Sequence, residues 1–146
     1  MLNGTDIANI FRRVVVVAFI MLPCLGFSQD QCIKFEHIGT SEGLSQINVN
    51  CIIQDSRDFM WIGSRNGLNR YDGYKFITYR YDAKNDNSLS NNLITDLAED
   101  GDGNIWVATQ SGLNRYDRKT GAFTRYMHND HNTNSISNNI INRLTF

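Results

Sequence analysis

Residues 44–72 read LSQINVNCIIQDSRDFMWIGSRNGLNRYD, and residues 89–117 read LSNNLITDLAEDGDGNIWVATQSGLNRYD. The two align at an offset of 45 without a gap, pairing Leu44 with Leu89, Ser45 with Ser90, Asp55 with Asp100 and Trp61 with Trp106. The block GLNRYD recurs whole, at Gly67–Asp72 and Gly112–Asp117. Two further residues then enter, and from Phe76/Phe123 onward the offset is 47, through Tyr79/Tyr126, Asn87/Asn134 and Ser88/Ser135. A third copy opens at Ser135 as SISNNIINRL. A unit of about 45 residues has the length of a four-stranded β-propeller blade.

Each copy divides into four short strands rich in aromatic and β-branched residues, separated by turn formers. The expected strands of the first copy are Asn50–Gln54, Phe59–Ser64, Gly67–Tyr71 and Phe76–Tyr81. Those of the second are Thr95–Glu99, Asn104–Thr109, Gly112–Tyr116 and Phe123–Met127. Between them stand DSRD and DGDG, RNG and QSG, DGYK and DRKTGA, all turn chemistry. Longer polar loops, Asp82–Asn92 and Asn129–Asn139, join one copy to the next. The chain is therefore read as all-β. It has a leader at 1–28, an N-terminal stretch at 29–43, one blade at 44–87, a second at 88–134, and the start of a third at 135–146. Lys34–Ile38 (KFEHI) stands where a fourth strand would precede the first complete copy, so it is expected to complete the last blade of a ring.

The repeated positions are read as structural: Asp55, Trp61, Gly67, Leu68, Tyr71 and Asp72, with their equivalents Asp100, Trp106, Gly112, Leu113, Tyr116 and Asp117. Strand alternation puts Trp61 and Gly63 on one face, and Trp106 and Ala108 likewise. A large ring beside a small residue suits the packing of blade on blade; the competing role is a platform for a sugar. A ligand rim can be placed only by topology. The loop between second and third strands, and the loop to the next blade, share one end of a propeller. Arg65, Asn66, Gln110 and Ser111 lie in the first kind of loop, and Asn91, Asn92, Asn138 and Asn139 in the second. Their amides and guanidinium suit hydroxyl-rich ligands; the alternative is that they are solvated or cap turns.

Outside the repeat, Arg12 and Arg13 precede the apolar run VVVVAFIML (Val14–Leu22), and Gly26-x-Ser28 follows. This is the pattern of a secretory signal peptide, and the run is short of the roughly 20 apolar residues of a membrane span. An uncleaved anchor is the competing reading, and Pro23 before Cys24 disfavours a lipoprotein site. Export would leave Cys32 and Cys51 in an oxidising compartment. They either pair or, for Cys51, serve as a small apolar residue on a buried strand.

Chemistry finds little purchase. The 14 Lys+Arg against 15 Asp+Glu give a net charge of −1 and no basic cluster, so nucleic acid is not an expected partner of this segment. Asp100, Asp102 and Asn104 resemble the start of a calcium loop, but Ser111 occupies the closing position where glutamate belongs. His128 and His131 sit in a polar loop, and His37 is the third and last histidine. No catalytic residue, metal or cofactor is expected.

The string GLSQINVNCIIQDSRDFMWIGSRNGLNRYDGYKF resembles the two-component-regulator propeller repeat, typically GLS-x-N, D-x-x-G-x-x-W-x-G-T, GL-x-x-Y-D and a late Phe. The first copy departs at Asp58 for Gly and Ser64 for Thr; the second has Ala108 for Gly. The resemblance covers residues 35–146. It implies a seven-bladed propeller in the periplasmic sensor of a hybrid histidine kinase, of which this chain is a fragment or a truncated gene model. It further implies an inner-membrane anchor, homodimerisation of the full-length protein, an oligosaccharide ligand, and partnership with further blades of the same ring. The kinase would lie downstream, so this chain is not expected to be an enzyme. Without the leader the chain carries 12 Lys+Arg and 14 Asp+Glu, a charge of −2, which favours a neutral or weakly charged ligand. A second function stays open: a secreted propeller lyase or glycosidase whose catalytic blades lie elsewhere.

Overall fold

The computed structural model describes residues 33–145. The expected leader at 1–28, Cys24 and Cys32 lie outside them. The residues from His37 onward form one compact unit. It contains two four-stranded antiparallel sheets, each a simple meander in the order β1-β2-β3-β4 and β5-β6-β7-β8. The first comprises β1 (Val49–Gln54), β2 (Met60–Ser64), β3 (Gly67–Tyr71) and β4 (Phe76–Tyr79). The second comprises β5 (Ile94–Glu99), β6 (Ile105–Thr109), β7 (Gly112–Asp117) and β8 (Ala122–Tyr126). Each expected strand is present, displaced by at most two residues. Lys34–Ile38 carries no strand among the described residues, and neither does 135–145; a strand takes its identity from a hydrogen-bonded neighbour.

In the GLNRYD block the glycine, asparagine and aspartate each meet a separate demand, the same in both copies. Gly67 and Gly112 have φ of +111° and +106°, and a Cβ at Gly67 would lie 2.5 Å from the Tyr79 carbonyl oxygen. Asn69 and Asn114 are fully buried. Asn69 Oδ1 accepts from the Ser45 amide and Thr78 Oγ1, while its Nδ2 donates to Ser45 Oγ and the Ile62 carbonyl. Asn114 repeats the bonds to Ser90 and to the Val107 carbonyl. A buried amide with both ends satisfied fixes the approach of the incoming chain. Asp72 and Asp117 close the outer hairpins, each Oδ1 accepting two backbone N–H bonds. Those bonds hold both carboxyls below the usual aspartate range.

The core lies between the two sheets. Trp61, 1% exposed, stacks on Tyr79 and meets the edge of Tyr116 from the second blade. Leu68, Ile94, Ile105, Val107 and Phe123 complete the layer. Gly63 permits this contact, since a Cβ there would lie 2.5 Å from Cys51 Sγ and 2.7 Å from Ile94 of the next blade. Trp61 thus packs between the two blades. Trp106 is half-buried and lies against Tyr126 on the far face of the second blade.

Candidate functional site

The turns between second and third strands stand at one end of the two sheets, as the topology required. A hydroxyl ends each second strand and holds the turn. Ser64 Oγ donates to the Gly67 carbonyl and accepts from the Asn66 amide; Thr109 Oγ1 does the same for Gly112 and Ser111. The connecting loops are tied to these turns. Gly67 N donates to the Asn92 carbonyl at 2.8 Å, Gln110 N to the Leu93 carbonyl at 3.2 Å, and Arg80 Nε to the Asn66 carbonyl at 3.2 Å. Both expected loop types thus share one rim. Arg65, Asn66 and Gln110 are exposed on it, and Ser111 is half-buried.

The four connecting-loop asparagines are largely committed to backbone. Asn92 Oδ1 accepts from the Tyr81 amide and Asn139 Oδ1 from the His128 amide. Asn91 and Asn138 each cap the amide two residues on. The first-loop set contributes neutral amides and a guanidinium to the same rim, with Asn66 Nδ2 donating to the Ser45 carbonyl at 3.5 Å. It suits hydrogen bonding to hydroxyls rather than proton transfer.

The opposite rim carries ionic chemistry that sequence reading missed. Asp55 Oδ1 accepts from the Arg57 and Phe59 amides, and Oδ2 accepts from Trp61 Nε1 at 2.7 Å. Arg118, reaching from the second blade, lies 3.2 Å from Asp55 Oδ2 and 2.7 Å from Glu99 Oε1. Glu99 in turn accepts from the amide and hydroxyl of Ser56 at 2.8 and 2.6 Å. Arg118 falls at the two-residue insertion of the second copy, so the offset change was the available signal. Asp100 repeats the bonds of Asp55 to its turn and to the indole Nε1, with Asn104 as an added partner. Burial pushes the Asp100 carboxyl up, but the bonds from Asn104 and Trp106 outweigh it and hold the pKa down at about 2. The DGDGN stretch is a turn clamp. Among the described residues no group of three or more His, Cys, Asp or Glu could hold a metal.

Two further titratable groups are accounted for. Among the described residues Cys51 is a free thiol, pushed up to about 12 by burial and then by the Asp96 charge, which leaves it a weak nucleophile. His128 places Nδ1 2.7 Å from the Ile136 carbonyl and Nε2 2.9 Å from Asp130. Those two acceptors, the carbonyl first, raise its pKa. No helix among the described residues is long and apolar enough to cross a membrane.

Comparison with known proteins places this geometry. Residues 43–66 and 88–111 match the two component regulator propeller family. Each match runs from the entering chain through the turn after the second strand of one blade. Histidine kinase P4 of Formosa agariphila is 38% identical over 82 residues, covering 54% of this chain. The extracellular domain described as that of hybrid two component system BT3049 from B. thetaiotaomicron superposes with a TM-score of 0.66 and 34% identity over 72% of this chain. That of BT4673 from the same organism gives 0.53, with 31% identity over 64%. The chain spans 6% of the curated relative's length and 14–15% of those solved chains.

Proposed function

We propose that this chain is part of the extracytoplasmic sensor of a two-component system, a propeller module that binds its ligand without chemical change. What supports the reading is the pair of regulator propeller repeats folded as adjacent blades and similar to extracellular sensor domains over 72% of the chain. The parent protein is proposed to be a hybrid histidine kinase anchored in the inner membrane, exported by the segment 1–28, and dimeric. The ligand is proposed to be a neutral or weakly charged oligosaccharide, held at the rim of Arg65, Asn66, Gln110 and Ser111 with further blades of the same ring. Amides and hydroxyls at that rim are matched to sugar hydroxyls, and the chain's near-zero net charge gives no attraction to a polyanion.

The test is calorimetric titration of the intact protein's extracellular region against a glycan panel, with the recovered ligand analysed afterwards. Saturable binding of a short oligosaccharide, returned intact, is the expected result. Cleavage of the glycan would replace sensing with catalysis. Tight binding of a peptide or metal, with every glycan inert, would remove the ligand class.

A further inference from the structure

The loop 82–88 between the blades and the loop 129–135 after the second blade have the same internal construction. In the first, Ser88 Oγ accepts from the Asp82 amide at 2.8 Å and donates to the Asp82 carbonyl at 3.1 Å. Ser135 and Asn129 repeat this at 3.0 and 3.1 Å. The backbone turns Asn85→Asp82 and Ser88→Asn85 recur as Asn132→Asn129 and Ser135→Asn132. The paired side-chain caps recur as well.

The first loop is wrapped around a guanidinium. Arg125 on β8 donates Nε to the Ser88 carbonyl at 2.8 Å, and Nη2 to the Asn85 carbonyl at 2.9 Å and Ser88 Oγ at 2.6 Å. A longer contact reaches the Asp82 carbonyl at 3.4 Å, and the Tyr81 ring lies 5.4 Å from the guanidinium carbon. The nearest carboxylate, Asp86, stands off at 3.9 Å. These are fork-shaped, mostly neutral contacts of a kind that fits a planar guanidinium better than a point-charge ammonium or a divalent metal.

Loop form and strand residue change together within this chain. The first blade carries Thr78 where the second carries Arg125, and Thr78 donates to Asn69 instead. The chain entering the first blade has no such loop; it makes a short 3-10 turn at Thr40–Glu42. Where the arginine is lacking, so is the loop that encloses it.

We propose that loop 129–135 is a guanidinium socket, filled by an arginine that an adjoining blade presents from its outermost strand at the position Arg125 holds in the second blade. The receiving oxygens are the carbonyls of Asn132 and Ser135 and the hydroxyl of Ser135, with Asn129 behind them. Thr133 stands where the first loop has Asp86, while Asp130, 2.9 Å from His128 Nε2, stands where the first loop has Ala83. This inference rests on the propeller reading above, because it takes the occupant from a further blade.

The deciding experiment is a structure of the intact protein's extracellular region. An arginine on the adjoining blade with its guanidinium on Asn132 O and Ser135 Oγ is the expected result. An adjoining blade that leaves the socket to another side chain or to water overturns the inference and leaves the propeller reading standing. A second blade with nothing packed on its far face overturns both. A solution measurement isolates the socket itself. Argininamide, titrated into the intact extracellular region with the adjoining blade's arginine replaced by alanine, should raise its melting temperature saturably while lysinamide at equal concentration does not. An equal response to the two cations would overturn the assignment.

Discussion

Asp58 holds φ of +66° at the position where the second copy has Gly103, whose φ is +81°. A left-handed backbone costs an L-residue on the order of 1–2 kcal/mol, less for Asp than for most. Gln54 Nε2 returns part of that through a 3.3 Å bond to Asp58 Oδ1. Asp58→Gly should therefore stabilise the protein by roughly 0.5–1 kcal/mol, after allowing for the added freedom of glycine when unfolded. A lowered urea midpoint would show that the Gln54 bond matters more than the strain. Asp100 supplies a second test at this scale. Its folded pKa of about 2 lies below the ordinary 3.8, so its contribution is present above pH 3.8 and is lost as pH falls toward 2. Wild type should lose more stability across that interval than Asp100→Asn, as followed by chemical denaturation at each pH. Parallel curves would mean that the carboxylate charge adds nothing to the turn.

Between elements, the contact most open to dissection is the clasp of Arg118 on Asp55 and Glu99. The Asp55 side chain has no exposed surface and that of Arg118 is 14% exposed, so water screens the pair weakly. Removing the cation strands a buried carboxylate that still receives Trp61 Nε1 and two amides. Arg118→Met is expected to lower stability by about 1–3 kcal/mol, with a coupling to Glu99→Gln visible in a double-mutant cycle. Additive effects of the two substitutions would show that the clasp is not a unit. The β-bulges serve the same junctions. The register shifts at Val49/Cys51 and Ile94/Asp96 free the intervening side chains. Asn50 then reaches the Ile94 carbonyl at 2.7 Å and Thr95 the Ile141 carbonyl at 2.5 Å, each tying its blade to the segment that follows.

For the molecule as a whole, burial at equivalent positions is unequal. Ile105, Val107, Tyr116 and Phe123 are buried against the first blade. Their counterparts Met60, Ile62, Tyr71 and Phe76 are only partly covered, and Ile52, the counterpart of Leu97, is 53% exposed. Apolar blade faces with open strand edges favour association. The chain studied alone should self-associate at micromolar concentration and unfold over a broad temperature range, as read by light scattering and calorimetry. A monodisperse monomer with one sharp transition would show that two blades suffice.

The residue pattern alone determined the architecture. A repeat with strand periodicity and turn residues at matching offsets leaves each copy one local solution, four short antiparallel strands, because hairpin pairing is set by near neighbours in the chain. It also located the rim, since the topology of a meander decides which turns share an end. Only the tertiary structure decided which chemically similar residues meet. Asp55 and Asp100 are equivalent in sequence, yet one receives Arg118 across a blade junction and the other Asn104 from its own turn. Trp61 is enclosed and Trp106 half-covered although their strands match. The Asn-rich loops read as loose polar linkers, but Arg125 organises one of them from 37 residues away. Contacts of that kind depend on how one blade seats on the next, and a periodic pattern carries no record of which insertion or substitution will face it.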